Sequence, residues 1–296
     1  MNIMKAKIGY IVSVLLYGTI GMILQFVQAE SEFVVLCRGV IGTLVILLFM
    51  LITSKKPDLS GIRKNLPLLT LSGICLGLNW VFLFIAYTHT TVAAASLCNY
   101  MAPVIVILLS PLVLREKMTV KKALCVLLAF AGIMLVSGVF EEEQTTDLYG
   151  ILMGLLAAAA FVGIVICNKK ISPVQPMSKA AYQLFISALT VLPYVLIKNG
   201  GIPFAKDTRS ILLILVLGVF QTGIAYILYF GGMGVMSVES VAVLGYLEPV
   251  VTVLTGVLIL SQPITVFGII GAVLILGAAV YSELGDKKII RRRKEQ

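Results

Sequence analysis

Leu97–Glu116 reads LCNYMAPVIVILLSPLVLRE, and Val243–Gln262 reads VLGYLEPVVTVLTGVLILSQ. A shift of 146 residues lays Tyr100 on Tyr246, Pro103 on Pro249, Val104 on Val250 and Leu108 on Leu254. The same shift, without a gap, pairs Gly77 with Gly223, Phe84 with Phe230 and Thr119 with Thr265. Apolar stretches match one another cheaply, so the aligned Tyr-x-x-Pro carries more weight than the leucines. A period of half the chain points to two related halves rather than a solenoid.

The residues around these stretches decide the solvent. The chain is 59% hydrophobic and only 12% charged, with a mean hydropathy of +1.05. Soluble domains carry about 25% charged residues. Apolar runs near twenty residues, separated by short polar loops, specify an integral membrane protein. The Met1–Lys7 start is too short and mixed for a cleaved signal region, so the first run is expected to stay as a helix. Cys37, Cys75, Cys98, Cys125 and Cys167 form no CxxC pair and are expected to pack as small apolar residues. His89 is the single histidine and makes no site alone. No metal-ligand spacing, phosphate loop or catalytic constellation is present, so no metal, cofactor or enzymatic activity is expected.

The predicted architecture is all-α, with ten transmembrane helices near 8–26, 34–53, 67–87, 91–112, 121–139, 148–167, 178–197, 211–231, 239–260 and 264–282. Continuous apolar runs exclude a strand barrel, which would alternate. Of the 23 Lys and Arg residues, 19 fall on one side, from Lys5 and Lys7 through Lys55, Arg63, Arg115 and Lys169 to the tail at Lys287–Lys294. The opposite loops hold Glu30, Glu32, Glu141–Glu143, Asp147 and Asp207. The positive-inside rule then places both termini in the cytoplasm, as an even helix count requires. The same placement of charge excludes nucleic acid as the partner of the +9 chain; the basic tail faces anionic lipid. The expected organisation is a first five-helix repeat over 1–139, an acidic linker over 140–147, a second repeat over 148–282 and a basic tail over 283–296. Five spans per half invert the second half relative to the first, the symmetry of alternating-access carriers.

Few polar groups interrupt the spans, and each needs an account. Glu248 lies mid-span directly before Pro249, where it can bind a cationic group or a proton, or bond a neighbouring helix. Arg38 is a candidate for a substrate carboxylate, for Glu248, for Glu32 or for the outer headgroups. Asn79 with Trp80, Asn99 with Tyr100, and Tyr226 with Tyr246 lie mid-depth and can line an amphipathic pocket; ordinary packing competes for each aromatic. Tyr10, Tyr17 and Tyr281 are expected to be packing or interfacial residues. Pro103 and Pro249 bend their helices and free carbonyls at Asn99 and Gly245. His89 is a candidate outer gate and Glu239 an inner gate or helix cap.

Asn99-Tyr100-Met101-Ala102-Pro103 followed by Arg115-Glu116, Gly245-Tyr246-Leu247-Glu248-Pro249, and the stretches 132–136 and 271–279 carry a resemblance. The whole chain resembles the drug/metabolite transporter superfamily, in particular its EamA-like ten-helix permeases. The resemblance implies a bacterial inner-membrane carrier, monomer or homodimer. Its cavity would lie among helices three, four, eight and nine, at Asn79, Trp80, Asn99, Tyr100, Tyr226, Tyr246 and Glu248. Gln262 departs from the pattern, where the second repeat often has Glu. The expected function is secondary transport of a small polar or amphipathic organic solute, an amino acid or related metabolite, with protons as candidate coupling ions. A quaternary-amine or drug carrier is the alternative. A channel would need a continuous polar stripe, which the spans lack.

Overall fold

The computed structural model describes residues 3–102, 104–105, 120–136, 147–205, 207–233, 236, 244–245, 247–262, 265–278 and 281. Pro103, Tyr246, Glu239, the Arg115–Glu116 pair, the linker over 140–146 and the tail from 283 onward lie outside them.

The described residues form helices and no strand. In chain order they are α1 (Ile3–Gly18), α2 (Ile20–Leu24), α3 (Ser31–Ile52), α4 (Leu59–Lys64), α5 (Leu66–His89) and α6 (Val92–Asn99). There follow α7 (Val120–Val136), α8 (Leu148–Lys170), α9 (Pro176–Asn199) and α10 (Thr208–Gly218). A π-helix (Val219–Ile224) joins α10 to α11 (Ala225–Met233), and α12 (Leu247–Leu258) and α13 (Val266–Ala278) complete the set. Among the described residues six spans are long and apolar enough to cross a membrane: Met4–Leu24, α3, α5, α8, α9 and Thr208–Met233. The protein is therefore an all-α, multi-span membrane protein.

Helix α3 shows how these spans meet both lipid and protein. Val35, Gly39, Gly42, Ile46 and Met50 recur at helical spacing and are buried. Val40, Leu44, Leu47, Leu48 and Leu51 recur on the other side and are exposed. A helix apolar all round, with one stripe left uncovered, is built for hydrocarbon on that side. Small residues set the protein contacts, because lipid supplies no hydrophobic drive between helices. A Cβ at Gly77 of α5 would stand 3.0 Å from the Ser187 carbonyl oxygen of α9, and one at Gly73 would meet Ile186 at 2.6 Å.

The helix ends gather into two sets. At one end Ser172 N donates to Asn65 Oδ1 (2.8 Å) and Gln175 N to Asp58 Oδ2 (3.1 Å), so the loop after α3 meets the loop after α8. Lys55, Lys56, Arg63, Lys64, Lys169 and Lys170 belong to this end. At the other end Lys198 bonds Glu32 (2.6 Å) and Glu30 (2.9 Å), His89 shares a hydrogen bond with Asp147 (3.1 Å), and Gln28 N donates to Ser210 Oγ (2.8 Å). One end is predominantly basic; the other carries Glu30, Glu32, Asp147 and Asp207.

Candidate functional site

The site is built from the end of α1, mid-α3, α5, the turn after α6, the π-helix with α11, and the part of α12 around Glu248. Arg38 is 1% exposed. Its guanidinium carbon lies 4.2 Å over the Trp80 ring and 5.2 Å from the Phe84 ring centre. Its Nε donates to Thr222 Oγ1 at 3.0 Å. Thr222 Oγ1 in turn donates to the Leu217 carbonyl, five residues back, at 2.8 Å. That carbonyl belongs to the turn where the widened helix starts, so one threonine hydroxyl serves both the π-helix and the cation. No described carboxylate lies within ion-pairing distance of Arg38. Glu32, one of its expected partners, is held by Lys198 instead. Stacking on two rings replaces the counter-ion.

Glu248 sits on the second residue of α12, and the Tyr100 hydroxyl hydrogen-bonds to it. Tyr100 also reaches the Thr252 hydroxyl. Leu244 and Gly245 ahead of α12 are helical as well, so Glu248 and Pro249 lie on helical chain, and Pro249 has no N–H to give it. The chain before Pro103 turns at Tyr100–Met101, directly after α6 ends at Asn99.

Between the two charges stand phenols. The Tyr17, Tyr87 and Tyr226 hydroxyls each lie close enough to feel both Arg38 and Glu248. Tyr17 packs on Tyr226 (6.0 Å between ring centres) and Tyr229 (5.9 Å), and Phe230 closes on Tyr226 at 5.9 Å. Glu248, Tyr100, Tyr17 and Tyr226 are surrounded by protein yet keep partial accessibility.

Among the expected residues, Arg38, Trp80, Tyr100, Tyr226 and Glu248 come together. Asn79 and Asn99 meet each other instead. Asn79 Nδ2 donates to Asn99 Oδ1 (3.0 Å) and to the Ala157 carbonyl (2.8 Å), which clamps α5 to α6 and α8. Pro103, Tyr246 and Glu239 lie outside the described residues. His89 stands apart from the charges. It lines an 860 Å³ depression at the acidic end, together with Glu30, Glu32, Tyr149, Tyr194 and Lys198. Three residues of the cluster carried no clear signal in the chain: Tyr17, Gln221 and Thr222. Gln262, which departs from the repeat pattern, accepts the Val92 N–H at 3.0 Å and so caps α6. Among the described residues no group of His, Cys, Asp or Glu is arranged to hold a metal ion.

Known proteins share this frame. The model of the EamA-like transporter family matches the chain twice, over residues 4–138 and 148–282. An uncharacterized transporter of Archaeoglobus fulgidus is 29% identical, over 91% of this chain and 93% of its own. The uncharacterized transporter YxxF of Bacillus subtilis is 26% identical, over 85% of this chain and 82% of its own. Protein PecM of Dickeya dadantii is also 26% identical, over 78% and 80%. A crystal structure 20% identical in sequence superimposes with a TM-score of 0.65, covering 96% of this chain and 98% of the other, and shares the fold.

Proposed function

Because the chain belongs to the EamA-like transporter family and is thus a secondary transporter of small solutes, we propose that its solute is a zwitterion, an amino acid or a related amphipathic metabolite. One observation carries the proposal. Arg38 and Glu248 face a shared set of tyrosines, and no described residue joins them in an ion pair. A carboxylate on the guanidinium and an ammonium on the Glu248 side would complete both, with phenol rings as the wall. An unneutralised buried charge is costly, so the site gains most from a ligand that supplies the opposite one. Arg38, Trp80, Tyr100, Tyr226 and Glu248 are the assigned binding residues, and Tyr17 joins them. Tyr246 belongs with them by its pairing with Tyr100 in the repeat.

The transport cycle we assign is alternating access between two inverted five-helix repeats, over 1–139 and 148–282. The twofold family match and the basic-versus-acidic split of helix ends support ten spans, with both termini cytoplasmic in a bacterial inner membrane. Glu248 is the assigned proton carrier for a coupled cycle. His89 and Glu239 are assigned to the outer and inner gates.

The alternative, a quaternary-amine carrier, rests on Glu248 and the phenols alone. Counterflow of labelled amino acids in vesicles reconstituted with the protein tests the choice. Exchange of amino acids is expected. Exchange of quaternary amines without any amino acid would overturn the zwitterion and leave the alternative standing.

A further inference from the structure

Three buried polar atoms find no partner among the described residues: Thr90 Oγ1, Asp207 Oδ1 and Gln221 Oε1. Thr90 follows the last residue of α5 and Asp207 precedes the first of α10, so both stand at span ends. Gln221 alone lies mid-span, in the π-helix, with 3% of its surface exposed. Its orientation is fixed by its neighbour. The Thr19 hydroxyl donates to the Leu16 carbonyl at 2.8 Å, which leaves its lone pairs to receive Gln221 Nε2 at 2.9 Å. The amide nitrogen is thereby committed to Thr19, and the amide oxygen is the atom left over.

Its surroundings are those of the charged pair. Thr222, the next residue, holds Arg38. Thr19 follows Gly18, where an added Cβ would stand 2.8 Å from the Glu248 carbonyl oxygen. Gln221 is therefore one residue from the group that holds Arg38 and is bonded to the residue beside Gly18, which abuts the Glu248 backbone. A buried acceptor without a donor is costly to keep, and a ligand that brings an N–H removes that cost.

We propose that Gln221 Oε1 accepts a hydrogen bond from the ammonium group of the bound solute, so that the carrier selects N–H-bearing zwitterions over their N-trimethylated counterparts. A quaternary ammonium has the same charge and no N–H. It satisfies Glu248 and the phenols equally and leaves Gln221 unpaired. Sites built around a hydrogen bond discriminate against analogues that lack it far better than apolar pockets discriminate by size. This inference rests on the zwitterion carrier proposed above, and the experiment separates the two.

The chain has a single tryptophan, Trp80, and it lies beneath Arg38. Its fluorescence is titrated in the purified full-length protein with L-leucine and L-phenylalanine, each against its N,N,N-trimethyl betaine. The expected wild-type preference for the amino acid is about tenfold or more. Gln221→Leu should bring the ratio near unity by weakening the amino acid. Thr19→Val, which unties the amide, should narrow the ratio. Gln221→Met serves the same comparison if the leucine variant does not purify folded. A ratio unchanged in Gln221→Leu or Gln221→Met, or a wild-type protein that binds both members of a pair equally, overturns the role of Gln221 and leaves the zwitterion carrier intact. Binding of neither member of either pair overturns both.

Discussion

Arg38→Lys retains the charge and removes the plane. In the wild-type protein one edge of the guanidinium is engaged through Nε with Thr222 (3.0 Å) and one face covers Trp80 (4.2 Å). The geometry leaves the Nη edge for a ligand. Two parallel N–H groups on that edge match a carboxylate, whereas an ammonium meets it as a point charge. A charge-assisted hydrogen bond is worth about 1.5–3 kcal/mol, so loss of one arm near 2 kcal/mol weakens a carboxylate ligand roughly 30-fold. A ligand without a carboxylate forfeits nothing of this. Trp80 fluorescence therefore reads the difference directly, with an amino acid titrated beside the amine that its decarboxylation gives. The expected result is about a 30-fold loss for the amino acid and under about threefold for the amine. The lysine also loses stacking worth about 0.5–2 kcal/mol, so a lower Tm in ligand-free protein is expected alongside. Equal losses for both ligands would reduce Arg38 to a packing residue, and an amino acid bound as tightly as before would remove it from the site.

Glu248→Gln should lower transport in vesicles more than tenfold or displace its pH dependence; unchanged uptake across a broad pH range would rule out a central carboxylate. Gly18→Ala places a Cβ 2.6 Å from Val251 Cβ and 2.8 Å from the Glu248 carbonyl oxygen. Overpacking of this kind costs about 1–3 kcal/mol, so a lowered Tm and impaired binding are expected, and a variant with wild-type Tm and affinity would count against close α1–α12 contact. At the basic end, N–H groups of Gly61 and Gln175 and the Ser60 hydroxyl hold the Asp58 carboxyl below the usual carboxylate range. A depressed pKa means that the loop contact is fully present above the unfolded value of about 3.9 and is lost as pH falls through the lower folded value. The protection of the Gly61 and Gln175 amides, measured against their intrinsic exchange rates, should fall on that descent, and Asp58→Asn should flatten the pH response; identical profiles in both proteins would refute the link.

Apolar run length made the long spans legible. The runs at 67–87 and 148–167 became Leu66–His89 and Leu148–Lys170, because roughly twenty apolar residues between polar loops leave little freedom. Which face of each span meets protein was not legible. A membrane helix is apolar on every side, so no amphipathic stripe marks its inner face. Tyr17 reads as a packing or interfacial residue, and it packs on Tyr226 and Tyr229 where α1 meets α11; which rings it would meet was not legible. The fate of Arg38 turned in part on a contact 166 residues apart in sequence, Lys198 to Glu32, which engages one of its expected partners. Asn79 has the composition of a ligand-binding side chain and spends its amide on Asn99 and Ala157. The π-helix contains no proline; Gln221-Thr222-Gly223 gives no local reason to widen a helix.

The backbone itself locates the site by a route independent of charge. Four irregularities interrupt the spans: the break between α1 and α2 at Thr19, the turn at Tyr100–Met101, the π-helix at Val219–Ile224 and Pro249, which has no N–H to donate. Each exposes backbone groups that hydrocarbon cannot satisfy, so each is tolerable only where protein or an aqueous cavity meets it. Contacts connect all four. Gln221 of the π-helix donates to Thr19. Gly18, beside it, abuts the Glu248 carbonyl at the start of α12. Tyr100, at the turn after α6, bonds the Glu248 side chain. Scattered irregularities would each need separate compensation; a single shared neighbourhood satisfies them together. Arg38 reaches that neighbourhood from an uninterrupted helix, through Thr222. The Thr222 hydroxyl that receives Arg38 also donates to Leu217, so the buried cation and the widened turn share one group.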